Sequence, residues 1–130
     1  MIDYIDCGIF KNEFVVSVGM SYNEIVNYIK KHKFDKRFIK WQVEEKENFI
    51  MNIENAPAFT LFNKKYAFGI VWFKTWKNNW ENYECLLHEV SHIVDFVSCQ
   101  KNFEYESEAR AYLTEYLFHE IRVKLIKWVK

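Results

Sequence analysis

Tyr83-Glu84-Cys85-Leu86-Leu87-His88-Glu89-Val90-Ser91-His92-Ile93-Val94-Asp95-Phe96-Val97-Ser98-Cys99 is the stretch that decides how this chain is read. On a helical wheel with His88 at zero and about 100° per residue, Leu86, Val90, Ile93, Val94 and Val97 fall between about 140° and 240°. Cys85, His88, His92, Asp95 and Cys99 fall on the opposite side, between about 340° and 60°. No Lys or Arg interrupts the segment. A solvated helix face normally carries such charges, so the pattern predicts a helix buried on one side and turned toward an enclosed polar site on the other.

Upstream, Phe59-Thr60-Leu61-Phe62, Asn63-Lys64-Lys65 and Tyr66-Ala67-Phe68-Gly69-Ile70-Val71-Trp72-Phe73 predict a β-hairpin with a short polar turn. Trp72, Trp76 and Trp80 recur every four residues, as in a packed turn or short helix. Earlier still, Phe14-Val15-Val16-Ser17-Val18 is a β-rich run closed by Gly19. Ser21 and Glu24 form a capping-box pattern for a helix reaching about Lys31. Lys33–Asn55 is mixed and charged, with a possible strand around Phe49–Ile53. Downstream, a break at Gln100–Phe103 precedes a long helix from about Tyr105 to Trp128. The expected fold class is α+β: a small mixed or antiparallel sheet, elements in the order β-α-β-β-α-α, and the first of two C-terminal helices carrying the two histidines.

The chain of 130 residues predicts one domain, residues 1–130. Half of it is hydrophobic, enough for a packed core and against low-complexity disorder. Eighteen basic residues balance eighteen acidic ones, removing the electrostatic reason to expect nucleic acid or an anionic membrane as partner. A peptide or protein partner remains open. Cys7, Cys85 and Cys99 are odd in number and lack framework spacing, which points to free thiols in a reducing compartment. Acidic residues at the N-terminus do not suit a secretory signal, and no apolar run is long enough to span a membrane. The expected location is the cytosol.

His88-Glu89-Val90-Ser91-His92 is an HExxH pattern. Imidazoles four apart on a helix can donate to one metal ion, about 2.0–2.1 Å from each nitrogen. Glu89, one step beyond His88, flanks such an ion and can take a proton from its water. One Zn2+ held by His88 and His92, with Glu89 as general base, is therefore expected. A catalytic zinc needs a third protein ligand. With Glu108 at zero, Tyr112, Glu115 and His119 share its stripe of the second helix, opposite Leu113, Leu117 and Ile121, whereas Glu106 falls on the apolar side. In a strictly antiparallel pair Glu108 lies about 6 Å short of His92 along the axis and Glu115 about 4.5 Å past it, so phase selects the stripe and not the residue. Tyr112 and His119 are candidates to stabilise an oxyanion. Asp95 either orients a ligand imidazole or pairs with Arg110, and Cys85 and Cys99 read as small buried thiols before thiolate ligands.

Leu86-Leu87-His88-Glu89-Val90-Ser91-His92 followed by Glu108-Ala109-Arg110-Ala111-Tyr112-Leu113 resembles small HExxH proteins encoded by bacteriophages and prophages. More broadly it is similar to the gluzincin metallopeptidases, of which the phage-repressor-processing peptidases are one branch. The resemblance covers roughly residues 70–118. It implies a minimal zincin-like domain with His88, His92 and Glu108 as zinc ligands and Glu89 as catalytic base, leaving Glu115, Glu104, Glu106 and Asp95 as lesser alternatives to Glu108. It implies hydrolysis of peptide bonds in a peptide or protein substrate, in the host cytosol for a phage-encoded chain. It also implies that an edge strand beside the motif helix, near Tyr66–Phe73, holds the substrate extended. The alternative expectation is a non-catalytic zinc-binding phage structural or regulatory module; a metal-free interaction protein using the aromatic surface at Trp72–Trp80 is a third.

Overall fold

The computed structural model describes residues 1–7, 12–32, 40, 44–62 and 68–129. Within them the order is β1 (Ile2–Asp6), β2 (Glu13–Val18), α1 (Tyr22–Lys31), α2 (Lys46–Asn55), β3 (Ala58–Phe62), β4 (Phe68–Phe73), α3 (Trp80–Gln100) and α4 (Ser107–Trp128). The fold is α+β with a four-stranded mixed sheet in the order β1-β2-β4-β3. β1 pairs antiparallel with β2, β2 parallel with β4, and β3 antiparallel with β4.

Side chains alternate across a pleated strand, and both faces of this sheet are covered. Phe14, Val16, Val18, Val71 and Phe73 pack against α3 and α4. Val15, Phe59, Phe68, Ile70 and Trp72 pack against Ile25 and Ile29 of α1 and Phe49 of α2. Coverage on both sides explains why β4 reads as an unbroken apolar run and β2 as a nearly continuous one, interrupted after Glu13 only by the buried Ser17. Gly69 marks a close approach within that packing: a Cβ there would sit 2.7 Å from Phe14 Cδ1.

Three expectations need correction. The region around Phe49–Ile53 is helical, because Phe49 alone is buried, against Tyr22 and Phe59, while Ile50 and Met51 are exposed. β1 was not expected; its Ile2, Tyr4 and Ile5 lack strict alternation with polar residues. The tryptophans do not share a turn: Trp72 lies in β4, Trp76 is buried in the connection between Phe73 and Tyr83, and Trp80 opens α3, largely exposed. The hairpin pairing is as expected, and its turn residues Asn63–Lys65 lie outside the described residues. Ser21 and Glu24 cap α1 reciprocally, with both hydrogen bonds at 3.3 Å.

α3 begins three residues before the expected Tyr83 because Asn79 caps it, its side chain accepting from the Asn82 amide at 3.0 Å. It ends in a Schellman turn. Phe103 N–H donates to Ser98 O, Asn102 N–H to Cys99 O, and Asn102 takes the left-handed φ of 60°. Phe103 is buried behind the turn, and the chain reverses into α4. Arg110 then meets Asp95 and Ser98, while Phe118 and Arg122 share a groove with Leu87, so the two helices run antiparallel. Among the described residues no helix is long and apolar enough to cross a membrane.

Candidate functional site

The amphipathic division of α3 is realised. Leu86, Val90, Ile93, Val94 and Val97 are fully or almost fully buried, and His88, His92, Asp95 and Cys99 are exposed. The polar face therefore opens to the surface among the described residues instead of lining an enclosed chamber, and Cys99 is an exposed thiol where a buried one was expected. The three cysteines are unbridged. Burial beside Asp6 pushes the Cys7 thiol up to about 12.

His88 and His92 turn their Nε2 atoms toward each other, 3.1 Å apart, with the rings nearly perpendicular. Two nitrogens bound tetrahedrally to one zinc at about 2.0–2.1 Å stand about 3.3 Å apart. The pair thus fits two corners of a zinc site; the same spacing accommodates one N–H···N hydrogen bond.

Glu89 leaves the histidine face and enters the seam between α3 and β3, where it is 5% exposed. Thr60 Oγ1 donates to its Oε2 at 2.6 Å and also lies 3.3 Å from its backbone carbonyl. Among the described residues Oε1 has no hydrogen-bond partner. Sequence periodicity could not supply Thr60, because the contact joins a strand to a helix 29 residues away.

β3, not β4, is the strand at the sheet edge; the expectation centred on Tyr66–Phe73 is corrected in that respect. Lys74 N–H donates to Pro57 O, and the register pairs Ala58 with Phe73. Antiparallel ladders alternate in bonding, so Ala58, Thr60 and Phe62 direct their backbone N–H and C=O groups outward, away from β4. Among the described residues this edge is unpaired, and Thr60 on it reaches Glu89, the residue next to His88.

Glu108 is exposed in the first turn of α4, where a carboxylate also favours the helix N-terminus. Arg110 reaches Asp95 at 2.5 Å and Ser98 at 2.5 Å, so Glu108 lies toward the C-terminal end of α3, past the level of Asp95. Asp95 takes the salt bridge, one of its two expected roles. Glu115 and His119 instead line a groove with Leu87, beside the turn that carries His88. Glu106 is the N-cap residue of α4, and Glu104 lies in the connection with its Oε2 buried and unpaired among the described residues. Tyr112 is exposed and stacks on Tyr116. Among the described residues no group of three or more His, Cys, Asp or Glu side chains is gathered to hold a metal. The structure brings His88 and His92 together on α3, with Glu89 beside them.

Comparison with protein-family models, curated proteins and solved structures finds no match to this chain.

Proposed function

We propose that the chain is a zinc-dependent metallopeptidase acting on an extended peptide segment. The observation that carries this reading is the convergence of the His88 and His92 Nε2 atoms at 3.1 Å, one residue from a carboxylate buried against the free edge of β3. His88 and His92 would hold one Zn2+ together with a carboxylate of α4. Resemblance makes that carboxylate Glu108; Glu115 is the alternative, nearer the histidines along α3. When bound, the ion polarises the scissile carbonyl and lowers the pKa of water.

The remaining chemistry belongs to the chain. The outward N–H and C=O groups of Ala58, Thr60 and Phe62 pair with the substrate backbone as an added strand, which fixes it beside α3. Thr60 holds Glu89 Oε2, so Oε1 is the oxygen that takes the proton of the attacking water and returns it to the leaving amine. A proton shuttle needs a fixed carboxylate, and the burial of Glu89 between α3 and β3 supplies the fixing.

The second reading is a zinc-binding structural or regulatory module without hydrolysis. The Thr60–Glu89 contact favours it to the extent that the same bond clamps β3 to α3 with no chemistry required. Two measurements separate these. Protein purified without chelator or added zinc is expected to carry one zinc, lost in His92→Ala and in whichever of Glu108→Ala and Glu115→Ala removes the third ligand. Glu89→Gln is expected to keep the metal and to lose roughly 10²–10⁴-fold in hydrolysis of a fluorescently labelled unfolded protein. Metal-free protein, or activity intact in Glu89→Gln, overturns the peptidase reading. Zinc without hydrolysis in the parent selects the module.

A further inference from the structure

One turn of α3 beyond the His pair lies a cavity of about 450 Å³, lined among the described residues by Phe62 of β3 and by Asp95, Phe96, Cys99 and Gln100 of α3. Asp95 and Phe96 stand three and four residues past His92, so this cavity opens one helical turn beyond the histidines and on their side of the helix. Its floor is aromatic: Phe62 stacks on Phe96 with ring centroids 4.0 Å apart. Among the described residues the one charge on its wall, the Asp95 carboxylate, is engaged by Arg110. The size is that of a side-chain or small-ligand pocket.

The geometry points to this cavity as the specificity pocket for a large apolar or aromatic side chain on the amino-terminal side of the bond that Glu89 serves. The inference rests on the peptidase reading and adds the substrate class to it. Two observations fix the occupant as an extended peptide. Phe62 lines the cavity with its side chain while its backbone, like that of Ala58 and Thr60, faces outward on the unpaired edge, so a strand docked there lays alternate side chains over the cavity. α3 and β3 also run in the same sense, Thr60 meeting Glu89 and Phe62 meeting Phe96. A peptide pairing antiparallel to β3, the more stable arrangement, therefore has its amino-terminal part over Phe62 and Phe96. Phe62 is two residues along β3 from Thr60, about 7 Å, and Phe96 is seven along α3 from Glu89, about 10.5 Å. The pocket thus takes the second or third residue before the scissile bond.

Cys99 supplies a readout independent of catalysis. It is the exposed thiol and lies in the pocket wall, whereas Cys7 is buried. In a Cys85→Ser, Glu89→Gln chain loaded with zinc, the rate of thiol modification by a disulfide reagent is measured against two blocked peptides. One is acetyl-Phe-Ala-Ala-Leu-Ala-amide and the other carries Asp in place of Phe. The Phe peptide is expected to slow modification roughly tenfold at saturation and the Asp peptide to leave it unchanged. In the parent chain, longer peptides with Phe at the second or third position before the cleaved bond are expected to show kcat/KM roughly tenfold above their Asp counterparts, and Cys99→Phe, which fills the pocket, to erase that difference. Cleavage with no preference at those positions, or equal protection by both peptides, overturns the pocket and leaves the peptidase reading standing. Phe-dependent protection without cleavage of any peptide supports the pocket and sinks the peptidase reading instead.

Discussion

Replacing Thr60 by Val removes one hydroxyl from the seam between β3 and α3 and changes little else, since valine nearly matches threonine in shape and suits a strand. The bond lost is short, 2.6 Å from Oγ1 to Glu89 Oε2, and it is made to a carboxylate only 5% exposed. Water cannot readily take the place of the donor at that depth. A hydrogen bond to a charged group is worth about 1.5–3 kcal/mol, and the valine returns a few tenths through strand propensity, so the expected net cost is about 2 kcal/mol. For a domain of this size that is a fall in Tm of roughly 6–10 °C. The assay is urea denaturation at neutral pH with chelator present, so that metal affinity does not enter the stability. A double-mutant cycle completes it: with Glu89→Leu as background, Thr60→Val is expected to cost under about 1 kcal/mol, because the charged acceptor is gone and only the longer contact to the residue-89 carbonyl, 3.3 Å, remains. An equal penalty for Thr60→Val in both backgrounds would show that Thr60 acts through strand packing, and the account of Glu89 as a carboxylate held by β3 would be wrong.

Gly69→Ala is expected to destabilise by about 2–3 kcal/mol, because the new methyl meets the ring of Phe14 and the Leu61 carbonyl oxygen inside a closed core; a Tm within a degree or two of the parent would refute the close approach. The Cys7 thiol has its pKa raised by burial from about 9 to about 12. The folded state therefore holds this proton more tightly than the unfolded one, and the stability it contributes is intact below pH about 9 and lost as pH rises toward about 12. Denaturation at a series of alkaline pH values is expected to show a shallower decline in Cys7→Ala, and identical slopes would count against the assignment.

Local periodicity carried most of what could be read from the chain. The apolar stripe of α3, the i and i+4 spacing of His88 and His92 and the Ser21–Glu24 box all depend on neighbours within two helical turns, and each is found in place. Contacts between distant segments were beyond its reach. Nothing near Thr60 announces that it will meet Glu89, and nothing in Phe68–Phe73 tells that it pairs with β2 on one side and β3 on the other, which moves the free edge to Ala58–Phe62. Phe49–Ile53 misled because a short apolar run suits a strand or a helix equally, and only the burial of Phe49 alone decides for a helix. The third ligand of the proposed zinc site is the same kind of problem: Glu108 and Glu115 share a stripe, and their levels along α3 depend on a turn whose shape is set by Asn102 and Phe103.

The parallel pairing of β2 with β4 gives the site an uneven dependence on the rest of the chain. Glu13 lies opposite Phe68, with all of α1, α2 and β3 between them in sequence. Closing that loop carries an entropic cost that local helix formation does not meet. The two imidazoles need only one intact turn of α3, whereas the confinement of Glu89 needs β3, and β3 is held through β4. A form in which the sheet has opened locally would still present both histidines to a metal while its carboxylate swings free. For the proposed zinc site, metal retention is therefore a weak witness to an intact arrangement; amide-exchange protection along β3 is the stronger one.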